Sequence, residues 1–219
     1  MIPDKITPQS TALAARQLLR AHRYGALSTL SKKFNGHPFG SITPYLVDHD
    51  GSLLILISAL AEHTKNIQSD PRVSLITHNQ EDPHIQTQGR ITVVGTAALV
   101  AERAQAGKRY LRYFPEAQTY YDMPDFQFYR IVPQALRYIG GFGDIHWVKA
   151  DRYQVPPNTL AADEEALLDK LNAARSAAQG VLIGIDCDGY DLRLNDRTVR
   201  HDFPSPARDG EQALAWLPH

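Results

Sequence analysis

A chain of 219 residues with 43% hydrophobic and 21% charged residues has material for one large or two modest domains with a real core. The formal net charge of −1, with no basic run beyond the pair Lys32-Lys33, excludes a general attraction to nucleic acid. One cysteine, Cys187, excludes an intrachain disulfide and fits a reducing compartment; set in GIDCDGYDL with no nearby histidine, it reads as structural. No apolar run approaches the ~20 residues of a membrane-spanning helix, and the N-terminal stretch lacks a signal-peptide pattern. The expectation is a cytoplasmic protein that acts on neither nucleic acid nor membrane.

Thr11 to His22 reads as an opening helix, with Leu13, Gln17 and Arg20 on one side and Ala14, Leu18 and Ala21 on the other. Tyr24-Gly25 ends it, and the period then changes. Gly25–Leu30 is β-like, Asn35-Gly36 is a hairpin signal, and Phe39–Val47 alternates, with Phe39, Ser41, Thr43, Tyr45 and Val47 facing one way. Asp48–Gly51 is a second tight turn, and Leu53–Ala59 is a strand buried on both faces. A strand near Val73–His78, a polar loop (Asn79–Gln88) and a long strand from Gly89 to Val100 follow. Ala101–Phe114 is helical through Ala104, Lys108, Leu111 and Phe114, and Phe126–Pro133 and Ala135–Gly143 return to β character. About six strands joined mostly by hairpins predict an antiparallel barrel.

The chain breaks at Val155-Pro156-Pro157-Asn158. Beyond lies a small α+β unit. Its first helix is capped by Asp163 and carries the stripe Leu167, Leu171, Ala174 and Ala178. Three short strands turn at Asp188-Gly189 and Asn195-Asp196, and a last helix starts near Asp209 with Gln212 placed as in a capping box. The domains are therefore 1–155 and 156–219.

The segment AEHTKNIQSDPR (Ala61–Arg72) lies between two apolar strands. It reads either as a solvated helical turn or as a helix start that holds an anion. Ser58, His63, Thr64, Lys65 and Asn66 offer hydroxyls, amides and a cation there, Ser41 and Thr43 share one strand face, and Arg90 opens a later strand. In GGFGDIHW (Gly140–Trp147), Phe142 and Trp147 either stack on a flat ring or pack at a barrel-edge turn. His146 is either a ligand or a structural histidine. His78 and His84 near Asp82 make no convincing site, and no spacing of residues points to a metal centre.

The sequence GHPFGSITPYLVDHDGSLLILISALAEHTKNIQSDPRVSLI, followed by GRITVVGTAALV, resembles the pyridoxamine-phosphate-oxidase-like, FMN-binding split-barrel superfamily. Within it the spacing is similar to the haem-utilisation, HugZ-type branch. The resemblance covers residues ~10–150, and IGIDCDGYDL with VRHDFPSP is similar to the small domain fused to such barrels. It implies a mainly antiparallel split barrel with flanking helices, and a homodimer with FMN at the subunit interface. Ser41 and Thr43 would flank the flavin; Ser58, His63, Thr64, Lys65 and Asn66 would hold its phosphate and ribityl groups, with Arg90 assisting.

The leading expectation is a flavin-dependent oxidoreductase with a small-molecule substrate and no assignable catalytic residue. The alternatives are haem binding and degradation, with His146 or His201 as iron ligand, or a flavin or haem carrier without turnover. The branch's histidine motif falls on Lys170-Leu171-Asn172-Ala173-Ala174-Arg175, which has neither of its histidines.

Overall fold

The computed structural model describes residues 8–79, 81–84, 86–195 and 197–217. Asp196 of the last expected turn, Gln80 and Ile85 of the polar loop, and His219 lie outside the described residues. Two compact units meet in the sequence at Gln154 and Val155.

The first unit is an antiparallel sheet of β1 (Tyr24–Leu30), β2 (Pro38–Pro44), β3 (Leu46–Val47), β4 (Leu53–Ser58), β5 (Arg72–His78), β6 (Arg90–Leu99), β7 (Phe126–Gly141) and β8 (Asp144–Lys149). The strands lie in the order β2-β1-β5-β6-β7-β4-β3, with β8 paired to β7. Helices α1 (Pro8–Ala21), α2 (Glu62–Ser69), α3 (Arg103–Tyr113), α4 (Gln118–Tyr121) and α5 (Ala150–Tyr153) flank this curled split barrel. Alternation sends Leu27, Leu75, Ile91, Val93, Leu136 and Val148 into one core, and β4 is buried almost throughout.

Two expected strands are one. β7 runs unbroken from Phe126 to Gly141, pairing first with β4 and then with β8, while β6 accompanies both halves. A bulge permits the bend: Val94 pairs with Ala135 but Gly95 with Pro133, which leaves Gln134 unpaired. Gly95 is required there, because a Cβ would stand 2.3 Å from the Val132 carbonyl oxygen. Asp144–Lys149 extends the sheet as β8, so the second half of Gly140–Trp147, read as either a ring-stacking segment or a barrel-edge turn, is strand.

α1 buries a stripe that matches neither expected side in full, although Arg20 is buried and Leu18 packs against the core. Its core stripe is Ala12, Ala15 and Leu19, and Arg16 and Arg20 are buried beside them. Burial of these cations is possible because carbonyl oxygens meet them. Arg20 donates to Val47 O and Asp48 O at 3.2 and 3.1 Å, and Arg16 reaches the carbonyls of Tyr153 and Gln154. From α3, buried Arg109 donates to Val47 O at 2.8 Å, and from β7 Arg130 pairs with the Asp48 carboxylate at 2.8 Å. The face of α3 differs too: Ala106, Arg109, Tyr110 and Tyr113 are buried, while Ala104 and Lys108 are exposed.

The second unit contains α6 (Leu160–Ala173), β9 (Val181–Asp186), β10 (Gly189–Leu194), β11 (Arg197–Asp202) and α7 (Gly210–Ala215). α6 starts earlier than expected, at Leu160; the hydroxyl of Thr159 just before it donates to Asp163 inside the first turn. Its buried stripe is Leu160, Glu164 and Leu168, and the helix stops before Ala178. At α7 the Asp209 carboxylate accepts from Gln212 N, while Gln212 reaches back one residue further than a capping box requires, to Arg208 N. Cys187 is buried in this core. Arg200 is buried among Asp186, Asp191 and Asp202 at 2.8, 2.9 and 3.3 Å.

Replacing Arg200 by Met would leave Asp186 and Asp191 buried without their cation. The expected loss is about 3–5 kcal/mol, read as a lowered urea midpoint. Burial alone would raise the Asp48 carboxyl, but Arg109 and Arg130 hold it below the ordinary value of 3.8. Its stabilising contribution is therefore complete above that value and is lost as pH falls through the depressed folded one. Asp48→Asn should cost about 1–3 kcal/mol at neutral pH and flatten the acid limb of stability, checked by urea titration across pH.

Candidate functional site

α2 starts where β4 ends, and the turn between them satisfies itself. Ala59 N donates to Asp125 O, Leu60 N to Ser58 Oγ, and Ala61 N to Ser58 O. Ser58 Oγ in turn donates to the Asp125 carboxylate at 2.6 Å. Asn66 is fully buried: its Oδ1 accepts from Lys32 N and its Nδ2 donates to Thr29 Oγ1, both at 2.9 Å. Two members of the expected cradle, Ser58 and Asn66, are thus engaged in fastening the β4–α2 turn and α2 itself. Thr43 is buried and donates to Pro44 O.

Three expected members keep unpartnered buried atoms among the described residues: Ser41 Oγ, His63 Nε2 and Thr64 Oγ1. Burial lowers the His63 pKa, so its imidazole is neutral at neutral pH and adds no positive charge. Lys65 is exposed. Glu62, in the first helical turn, and Asp125 bring negative charge to the positive end of the helix. This donor set fits a phosphate dianion poorly.

Arg90 is elsewhere. Asn66 meets the sheet at Thr29, which is level with Val73 and Gly95, whereas Arg90 opens β6 five residues before Gly95. That is roughly 16 Å along the strand, so α2 and Arg90 stand at opposite ends of the sheet. The residues expected to form one cradle form two separate groups.

Arg90 belongs to the sheet's other face. Opposite the core, the register sets Ile42, Ala26, Ile76, Thr92, Arg137 and Trp147 side by side across six strands. Ile42 and Trp147 expose 67% and 61% of their surfaces, far more than isolated core-strand residues would. The neighbouring row on one side runs His78, Arg90, Ile139 and Ile145; on the other it holds Ser74, Val94 and Ala135. The Arg137 guanidinium lies 5.3 Å from the centroid of the Trp147 ring. Phe142, at the tip of the β7–β8 hairpin, is 98% exposed. A groove of about 290 Å³, lined by Ser28, Thr29, Leu30, Pro38, Arg72, Val73 and Ser74, opens toward the far end of β1 and β5. An apolar platform edged by guanidiniums suits a flat, largely apolar molecule with carboxylates at one margin. The sequence signal for it is present in β5 and β6, where VSLIT and RITVV place apolar residues on both faces.

Neither expected iron ligand belongs to these rows of the sheet face. His146 shares the core-side register of Tyr138 and Val148, with Nε2 2.8 Å from the Asp144 carboxylate. His201, in the second unit, stacks flat on Tyr190 with ring centroids 4.7 Å apart.

The family model for the CREG beta-barrel matches residues 6–155. The chain belongs to the CREG beta-barrel family. It shares 41% identity over 140 residues with the chloroplastic heme oxygenase HOZ of Arabidopsis thaliana, covering 63% of this chain and 43% of the plant protein. The chain thus spans less than half the length of that relative. A protein of unknown function from Agrobacterium tumefaciens superposes over 98% of this chain and 100% of its own, with TM-score 0.81 and 26% identity. A heme binding protein from Mycobacterium smegmatis superposes over 94% of this chain and 93% of its own, with TM-score 0.60 and 25% identity. The pyridoxamine-phosphate-oxidase-like split barrel and its haem-utilisation branch, expected from the sequence, agree with these likenesses. Among the described residues no helix is long and apolar enough to cross a membrane.

If Asn66 is a fastener, Asn66→Ala should lower stability by about 1–3 kcal/mol through the two partners it leaves unpaired. Denaturant titration checks this, and a cofactor-specific loss with unchanged stability would contradict it.

Proposed function

We propose that the chain binds haem on the solvent-facing side of its split barrel, as one half of a homodimer. The observation that carries this is the apolar row Ile42–Ile76–Trp147 beside Arg90 and Arg137 on one open sheet face. Two guanidiniums match the two propionates of haem, and the aliphatic and aromatic row matches its ring. The plant relative's name and that of the mycobacterial neighbour support haem as the ligand, and the former extends the proposal from binding to oxidative breakdown. Haem would supply the redox-active iron, while the chain's own residues orient the ring and keep water from one side of it.

The dimer follows from incompleteness. An exposed apolar face this continuous is rarely left to water. A second copy would cover the ring from above. The flavin reading retains one observation of its own, the unpartnered Ser41 Oγ, His63 Nε2 and Thr64 Oγ1 near α2. It is the less well supported reading, because Ser58, Asn66 and Arg90 are committed elsewhere.

The test is an absorption spectrum of the purified chain before and after adding haemin or FMN. A Soret band that survives gel filtration, and that decays in air with ascorbate, is the expected result. Arg137→Ala should weaken haemin binding about ten- to a hundredfold, since a charge-assisted contact is worth about 1.5–3 kcal/mol. Retained flavin bands without a Soret band would replace haem by FMN.

A further inference from the structure

We infer that His78 supplies the protein's ligand to haem iron, through Nε2. This rests on the haem reading above. His78 is the last residue of β5, and its register places it on the open face directly beside Arg90, in the row next to Ile76 and Arg137. Of the strand histidines among the described residues, it is the one on that face. His146 lies on the core side with its Nε2 held by Asp144, and His201 belongs to the second unit.

The ring is also prepared for the task. His78 Nδ1 lies 3.1 Å from the carbonyl oxygen of Asn79. A carbonyl oxygen only accepts, so in the neutral imidazole the proton resides on Nδ1 and the lone pair on Nε2. A backbone carbonyl behind the protonated nitrogen is the arrangement that fixes the tautomer and orientation of a metal-ligating histidine and raises its basicity. The neighbouring Arg90 places a propionate-binding charge one strand away from the iron ligand. The short-range pattern LITHNQ carries no ligand signature, which is why only the register exposes this role.

The experiment titrates the full chain with haemin and, separately, with iron-free protoporphyrin IX. The wild type, His78→Ala, His78→Gly and His146→Ala are compared. The expected result is a sharp Soret band in the wild type and in His146→Ala, and a shifted, broadened band in His78→Ala. Haemin affinity should fall about tenfold or more in His78→Ala, with protoporphyrin affinity nearly unchanged. Added imidazole should restore the wild-type band in His78→Gly. An unchanged band in His78→Ala overturns the assignment, as does an equal loss of haemin and protoporphyrin binding, which would make the contact one to the ring. A wild type that takes up no haemin removes the haem reading itself, and the ligand assignment with it.

Discussion

Three guanidiniums converge on one short turn. Arg20 from α1 and Arg109 from α3 donate to the Val47 carbonyl, Arg20 also reaches Asp48 O, and Arg130 from β7 closes on the Asp48 carboxylate. Each charge-assisted bond is worth about 1.5–3 kcal/mol, but burying a guanidinium costs a comparable amount. The clamp therefore specifies geometry more than it adds stability. It fixes two helices and the β3–β4 turn against the same side of the sheet, and with them the closed face of the barrel. On the opposite face Ile42 and Trp147 stand exposed.

That asymmetry explains how one sheet serves two purposes. Residues at alternate positions of β1, β5, β6 and β7 fill the core, and Ile76 and Val94 between them form, with Ile42 of β2 and Trp147 of β8, a platform edged with Arg90 and Arg137. Burying such a platform gives about 25 cal/mol per Å² of apolar area, so a flat ligand and a second copy would both gain by covering it. The bulge at Gly95 and Pro133 lets β7 turn and carry β8, which brings Trp147 into the same row as Arg137. A side chain on Gly95 would collide with Val132 and spoil that bend.

Much of the fold was legible because its signals are local. Asn35-Gly36 marked the first hairpin, the alternation in Phe39–Tyr45 set the faces of β2 correctly, and Pro156-Pro157 lies next to the division between the units. Where sequence reasoning erred, long-range partners were responsible. The stripe of α1 was misjudged because Arg16 and Arg20 look like surface residues until carbonyls 27 or more positions away are brought to them. Asp163 looked like a cap, but Thr159 precedes it and already holds it by a hydrogen bond. The break expected at Pro133 is a bulge, since the missing N–H falls where the ladder has an extra residue anyway.

The candidate site divides along the same line. By itself the sequence determined the split-barrel class, the polar turn between two buried strands and the residue types able to hold an anion, because these depend on period, turn chemistry and composition. It could not determine which of those residues share a place. Only the tertiary structure decided that Asn66 and Ser58 are engaged as fasteners, that Arg90 stands roughly 16 Å along β6 from the level at which Asn66 meets the sheet, and that His78, Arg137 and Trp147 belong to one surface. The physical reason is register. A shift of one residue in any pairing moves a side chain to the other face of the sheet, and register is set by hydrogen bonds between strands far apart in the chain.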